Sequence, residues 1–103
     1  MANKLKNIIK FSKKNRDTLY IIALCNQKHQ YYNFINHLGE FFINKYRKYK
    51  IDFNLYEPKK MKLEYLEGLH SYPVFTFYKR EDREIYHGIN SNEVEKIILE
   101  MVR

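Results

Sequence analysis

The six residues Leu19-Tyr20-Ile21-Ile22-Ala23-Leu24 form an almost unbroken apolar run. A run this short is a strand, and one with no polar face must be covered on both sides. That requirement excludes a sheet with one wet face and points to an α/β layer architecture. The flanking segments agree. Residues 3–15 place Leu5, Ile8, Ile9 and Ser12 on one face at helical spacing, with Lys6, Lys10, Lys13 and Lys14 mostly elsewhere. From His29 to Lys48 the apolar positions are Tyr31, Phe34, Ile35, Leu38, Phe41, Phe42 and Tyr46, in steps of three and four with two neighbouring pairs. They describe an amphipathic helix. Gly39 in its middle costs about 1 kcal/mol relative to alanine, which suits a position where the helix packs closely on a sheet.

Ile51, Phe53 and Leu55 alternate with Asp52 and Asn54 as a second strand, ended by Pro58. Residues 59–67 read as a short helix stopped by Gly68. Val74-Phe75-Thr76-Phe77-Tyr78 is a third strand, residues 79–83 a polar hairpin turn, and residues 84–87 the returning strand before Gly88. Ser91 or Asn92 caps a last helix carrying Val94, Ile97, Ile98 and Met101. The order is α-β-α-β-α-β-β-α, a four-stranded mixed sheet flanked by helices. With 103 residues and no linker, residues 1–103 form a single domain.

This order resembles the thioredoxin superfamily over nearly the whole chain, without the first strand of longer thioredoxins. The most specific match is Gly68-Leu69-His70-Ser71-Tyr72-Pro73-Val74-Phe75-Thr76-Phe77-Tyr78-Lys79. In thioredoxins this stretch is a glycine ending a helix, a short loop, and a proline opening an apolar strand. The segment from Glu84 to Gly88 and the capped terminal helix repeat the family's closing pattern. The resemblance implies a cis Tyr72–Pro73 bond that aims the preceding backbone into a groove, where an extended peptide can pair with it strand to strand. It also implies that Ser71, Tyr72 and Pro73 bind a partner together with Asn26, Gln27 and Lys28.

Thioredoxins carry Trp-Cys-Gly-Pro-Cys between the first central strand and the long helix. Here the segment is Leu24-Cys25-Asn26-Gln27-Lys28-His29-Gln30. In one register Cys25 takes the first cysteine position and Lys28 the resolving one. In the other, set by strand length, Gln27 and Gln30 take them. The first keeps Tyr31, Phe34, Ile35, Leu38 and Phe42 on the helix's inner face. The second would turn Asn33, Asn36, His37, Glu40 and Asn44 inward, so the first is preferred. In both the resolving cysteine is absent, the tryptophan is Leu24 or Asn26, and the buried acid is Leu19 or Ile21. Ordinary dithiol exchange is therefore excluded. Cys25 stands as a candidate monothiol nucleophile near a helix start, with Lys28 and His29 favouring its thiolate and a low-molecular-weight thiol as co-substrate. The competing reading makes it a small buried hydrophobe.

One cysteine permits no internal disulfide, and no segment reaches the length of a membrane span, so a cytoplasmic protein is expected. The four histidines have no metal-ligand spacing, and neither metal nor cofactor is expected. The net charge of +7 is lopsided. Residues 1–50 carry eleven Lys/Arg against two acids, and residues 51–103 eight against ten. With Tyr31, Tyr32, Tyr46, Tyr49 and Tyr56 interleaved, the basic half admits nucleic-acid or anionic-partner binding. Half of those tyrosines sit at core spacing, which argues against it. The leading expectation is a non-catalytic module for a protein or peptide partner.

Overall fold

The computed structural model describes residue 8, residues 10–57 and residues 73–103. Residues 8 and 10–14 are helical. They precede β1 (Thr18–Leu24), α1 (Tyr32–Lys45), β2 (Lys50–Tyr56), β3 (Val74–Lys79), β4 (Asp82–His87) and α2 (Ser91–Val102). The strand order is β2-β1-β3-β4. β1 pairs parallel with β2 and antiparallel with β3, and β3 pairs antiparallel with β4. The helix expected over residues 59–67 lies outside the described residues.

β1 is central because both of its faces are apolar. Leu19, Ile21, Ala23 and Cys25 point into one core with Ile35, Leu38 and Phe42 of α1 and Val94, Ile98 and Val102 of α2. Tyr20, Ile22 and Leu24 point into a second core that includes Ile8, Val74 and Tyr78. Each fully buried aliphatic side chain is worth about 1.5–3 kcal/mol, so exposing either face would forfeit several such contributions at once. Ile8 and Ser12 of the first helical segment are buried, as their spacing implies.

Three boundaries differ from the sequence expectation. The hairpin turn is only Arg80 and Glu81, with Lys79 paired to Asp82. Arg80 adopts φ 60, which reverses the chain in two residues. The charged residues Asp82 and Arg83 belong to the exposed edge strand, where charge discourages pairing with another chain. The cap of α2 is Asn90 rather than Ser91 or Asn92; its Oδ1 accepts the Asn92 N–H at 2.9 Å. Gly88 at φ 138 turns the chain out of β4, and the Tyr86 hydroxyl receives the Asn90 N–H at 3.2 Å, which sets the cap one residue early. Finally, α1 buries a narrower arc than its pattern suggests. Ile35, Leu38, Gly39 and Phe42 face the sheet, while Tyr31, Phe34 and Phe41 stay 37%, 43% and 54% exposed.

α1 and α2 are joined across the first core by Glu95, whose carboxylate accepts from the Lys45 ammonium at 2.5 Å and from the Tyr46 hydroxyl. These contacts, Lys45 first, hold the Glu95 carboxyl below the usual carboxylate range. A depressed folded pKa gives stability that is present above the unfolded value, about 4.3, and is lost as pH falls through the folded one. Thermal melts of Glu95→Gln should therefore show a shallower loss of Tm on acidification than the parent, by a few degrees at most for so exposed a cluster. Equal acid slopes in the two proteins would rule the contribution out.

Candidate functional site

Cys25 lies where β1 ends, and the structure moves it away from the helix start that sequence spacing suggests. Its N–H donates to the Tyr56 carbonyl at 3.0 Å, so the ladder to β2 continues through it. α1 begins only at Tyr32. Cys25 is 3% exposed and packs in the core beneath α1, and its thiol donates to the Asn26 carbonyl at 3.6 Å. Burial pushes its pKa above the ordinary thiol value, and burial is the one cause of that shift.

The connection from β1 to α1 is exposed at Asn26, Gln27 and Lys28. Asn26 organises it. Its side-chain Oδ1 accepts the Lys28 N–H at 2.9 Å and its carbonyl accepts the His29 N–H at 2.9 Å. His29 uses its Nδ1 to accept the Tyr31 N–H at 3.1 Å and its carbonyl to accept the Tyr32 N–H. Its ring lies 5.6 Å from that of Tyr31, which in turn meets Phe34 edge-on at 6.5 Å. Tyr31 stands at the N-cap of α1 without a side-chain cap.

Pro73 is described and buried; Ser71 and Tyr72, and with Tyr72 the isomer of the Tyr72–Pro73 bond, lie outside the described residues. The Pro73 carbonyl accepts the Gly88 N–H at 2.9 Å, tying the start of β3 to the end of β4. Because Leu24 pairs with Val74, the same register brings Cys25 opposite Pro73. The end of β1, the 26–31 connection and the start of β3 thus meet at one edge of the sheet. The sequence-derived residues that come together there are Cys25, Asn26, Gln27, Lys28 and Pro73.

Of the exposed pair, Phe34 was not among the expected site residues, and Tyr31 was expected only alongside the basic residues. Their signal is the seven-residue step from Phe34 to Phe41, a stripe on the flank of the buried arc. Of the other tyrosines once grouped with the basic residues, Tyr32, Tyr46 and Tyr49 pack on one core and Tyr56 on the other. Among the described residues no group of three His, Cys, Asp or Glu could hold a metal ion, and no helix is long and apolar enough to cross a membrane.

No protein-family model matches the chain, and no curated protein matches it in sequence. Its structure does match solved ones. A thioredoxin from Nicotiana alata superposes with a TM-score of 0.78 at 18% identity, covering 98% of this chain and 87% of that one. A Fasciola hepatica thioredoxin gives 0.76 at 16% identity, covering 97% and 93%. A Trypanosoma brucei brucei thioredoxin gives 0.73 at 11% identity, covering 99% and 86%. With a parallel β1–β2 pair crossed over by α1, an antiparallel β3–β4 hairpin and a closing helix, the chain has a thioredoxin-like fold.

Proposed function

We propose that the protein is a non-catalytic thioredoxin-like binding module that holds an extended peptide or partner segment at the edge where β1 ends and β3 begins. The burial of Cys25 carries this reading. A cysteine only 3% exposed, with its ionisation disfavoured, is poorly placed to attack a disulfide, and the chain has no second cysteine to resolve a mixed one. What the edge offers to solvent is recognition chemistry. Asn26, Gln27 and Lys28 supply hydrogen-bonding groups and one positive charge, and Tyr31 and Phe34 supply aromatic surface. By resemblance to thioredoxins, Ser71, Tyr72 and Pro73 are the residues expected to offer the partner a backbone to pair with.

The test is a selection of linear peptides from a random display library, followed by amide chemical-shift mapping of the best binder. The expected shifts fall on residues 25–31 and 73–74. Tyr31→Ala should weaken that peptide about tenfold, as the loss of an aromatic anchor does. A binder whose shifts fall elsewhere, or one indifferent to Tyr31→Ala, would overturn the assignment.

A further inference from the structure

We infer that the pole of the molecule opposite Cys25 is a binding site for a compact oligophosphate anion. The strand topology brings to this end five cations that are remote in sequence. Lys48 and Lys50 come from the α1–β2 connection and the start of β2, Lys79 and Arg80 from the end of β3 and its turn, and Arg103 follows α2. They line a hollow of about 360 Å³ together with Tyr49, Val102 and, as the one acidic side chain among the described residues there, Asp17. That volume falls in the range of small-molecule sites, about 300–1,000 Å³. With β1 rising about 3.3 Å per residue, the hollow lies about 20 Å from Cys25, so it shares nothing with the edge proposed above.

Three observations separate this cluster from an ordinary solvated surface. None of the five cations forms an ion pair with a described residue. Lys79 is only 9% exposed, so its stem is packed and its ammonium is confined to this end of the molecule. Arg80 is held in place by its left-handed backbone (φ 60) and by its carbonyl, which accepts from the buried Ser12 hydroxyl at 3.1 Å. The C-termini of α1 and α2 also point to this pole, and their partial negative charge accounts for one or two neighbouring cations but not five. Guanidinium and ammonium groups converging on one hollow are the donor set that phosphoryl oxygens take.

The neighbouring hollow argues for a compact ligand over a polymer. It shares Lys79, Arg80 and Arg103 but is otherwise lined by Asp82, Glu84 and Glu100 together with Arg83 and Met101. A nucleic-acid strand running on in that direction would meet three carboxylates, whereas a short anion stays clear of them.

Inorganic tripolyphosphate is the probe, titrated by calorimetry into the full chain at low salt. Saturable one-site binding is expected, weakening as salt rises. Lys50→Ala with Arg103→Ala, both exposed residues, should weaken it about a hundredfold, the loss of two charge-assisted contacts. Lys10→Ala with Lys96→Ala makes the same change in net charge away from the hollow and should leave binding within about twofold, as substitutions without shared contacts do. Equal loss in both variants would mean diffuse charge attraction and would overturn the site. So would the absence of saturable binding. Binding of a single-stranded oligothymidylate that tripolyphosphate fails to displace would overturn it in favour of a nucleic-acid surface. Thermal melts of both variants establish that each is folded.

Discussion

Iodoacetamide is expected to leave Cys25 almost unmodified in the folded protein at pH 7 and to alkylate it at an ordinary thiol rate once denaturant unfolds the chain. Two barriers act together. The reagent must reach the sulfur of a residue that is 3% exposed, and only the thiolate reacts, while burial disfavours the thiolate. Access requires the cover over Cys25 to open, and that cover includes the core side chains of α1. α1 is anchored in that core by Ile35, Leu38 and Phe42, so the opening draws on the stable part of the fold. A retardation of about a hundredfold or more corresponds to an opening free energy of roughly 2.7 kcal/mol, modest for a core strand. Mass spectrometry of the alkylation time course against pH measures it. Rapid native-state reaction with a midpoint well below the free-thiol value of about 8.5 would establish an activated monothiol instead and remove the main support for a purely binding role. The same burial has a linkage consequence. A thiol pKa raised on folding contributes stability that is complete below the unfolded thiol's range and is lost as pH rises through the folded value. Cys25→Ala should lack that alkaline component.

The parts of the fold that were legible in the sequence are those written locally. The run from Leu19 to Leu24 could only be a two-faced strand, and Val74–Lys79 is likewise buried along its length. The alternation of Ile51, Phe53 and Leu55 marked β2. What was not legible depends on distance. The residues 26–31 are polar or aromatic without a period, and Tyr31 at the N-cap is none of the residues that announce a helix start. The sequence therefore could not distinguish a cysteine at a helix N-terminus from one at a strand end. A hydrogen bond from residue 25 to residue 56 decides that, and no local pattern encodes it. The basic pole was hidden for the same reason. Charge counting pointed to the first half of the chain, yet Lys79, Arg80 and Arg103 come from the net-acidic second half. Only the order β2-β1-β3-β4 gathers them beside Lys48 and Lys50.

Gly39→Ala should destabilise the protein by up to about 2 kcal/mol, although alanine is the better helix former. A Cβ at this position would lie 2.3 Å from Cδ1, 2.5 Å from Cε1 and 2.7 Å from Cγ of Phe53. Contact with Cγ as well as the ring edge means that rotating the ring cannot clear the clash, since Cγ is one bond from the Cβ of a β2 residue. β2 in turn cannot retreat cheaply, because Phe53 is in register with Ile21 and the whole strand is paired with β1 from Lys50 to Tyr56. The helix would have to lift from the sheet, loosening Ile35, Leu38 and Phe42, all buried in the same core. Overpacking of this kind costs about 1–3 kcal/mol, against a helix-propensity gain of about 1 kcal/mol. Gly39→Leu, with three more carbons and no outlet, should approach loss of the fold, since domains of this size are stable by only about 5–15 kcal/mol. The decisive comparison is a double-mutant cycle by urea denaturation. Phe53→Ala alone is destabilising because it opens a void under α1. In that background the clash is gone, so Gly39→Ala should become neutral or stabilising by up to about 1 kcal/mol, a reversal of sign. If the two substitutions instead add, the Phe53 ring is not what requires glycine in α1, and the close approach of that helix to β2 must be set by other contacts.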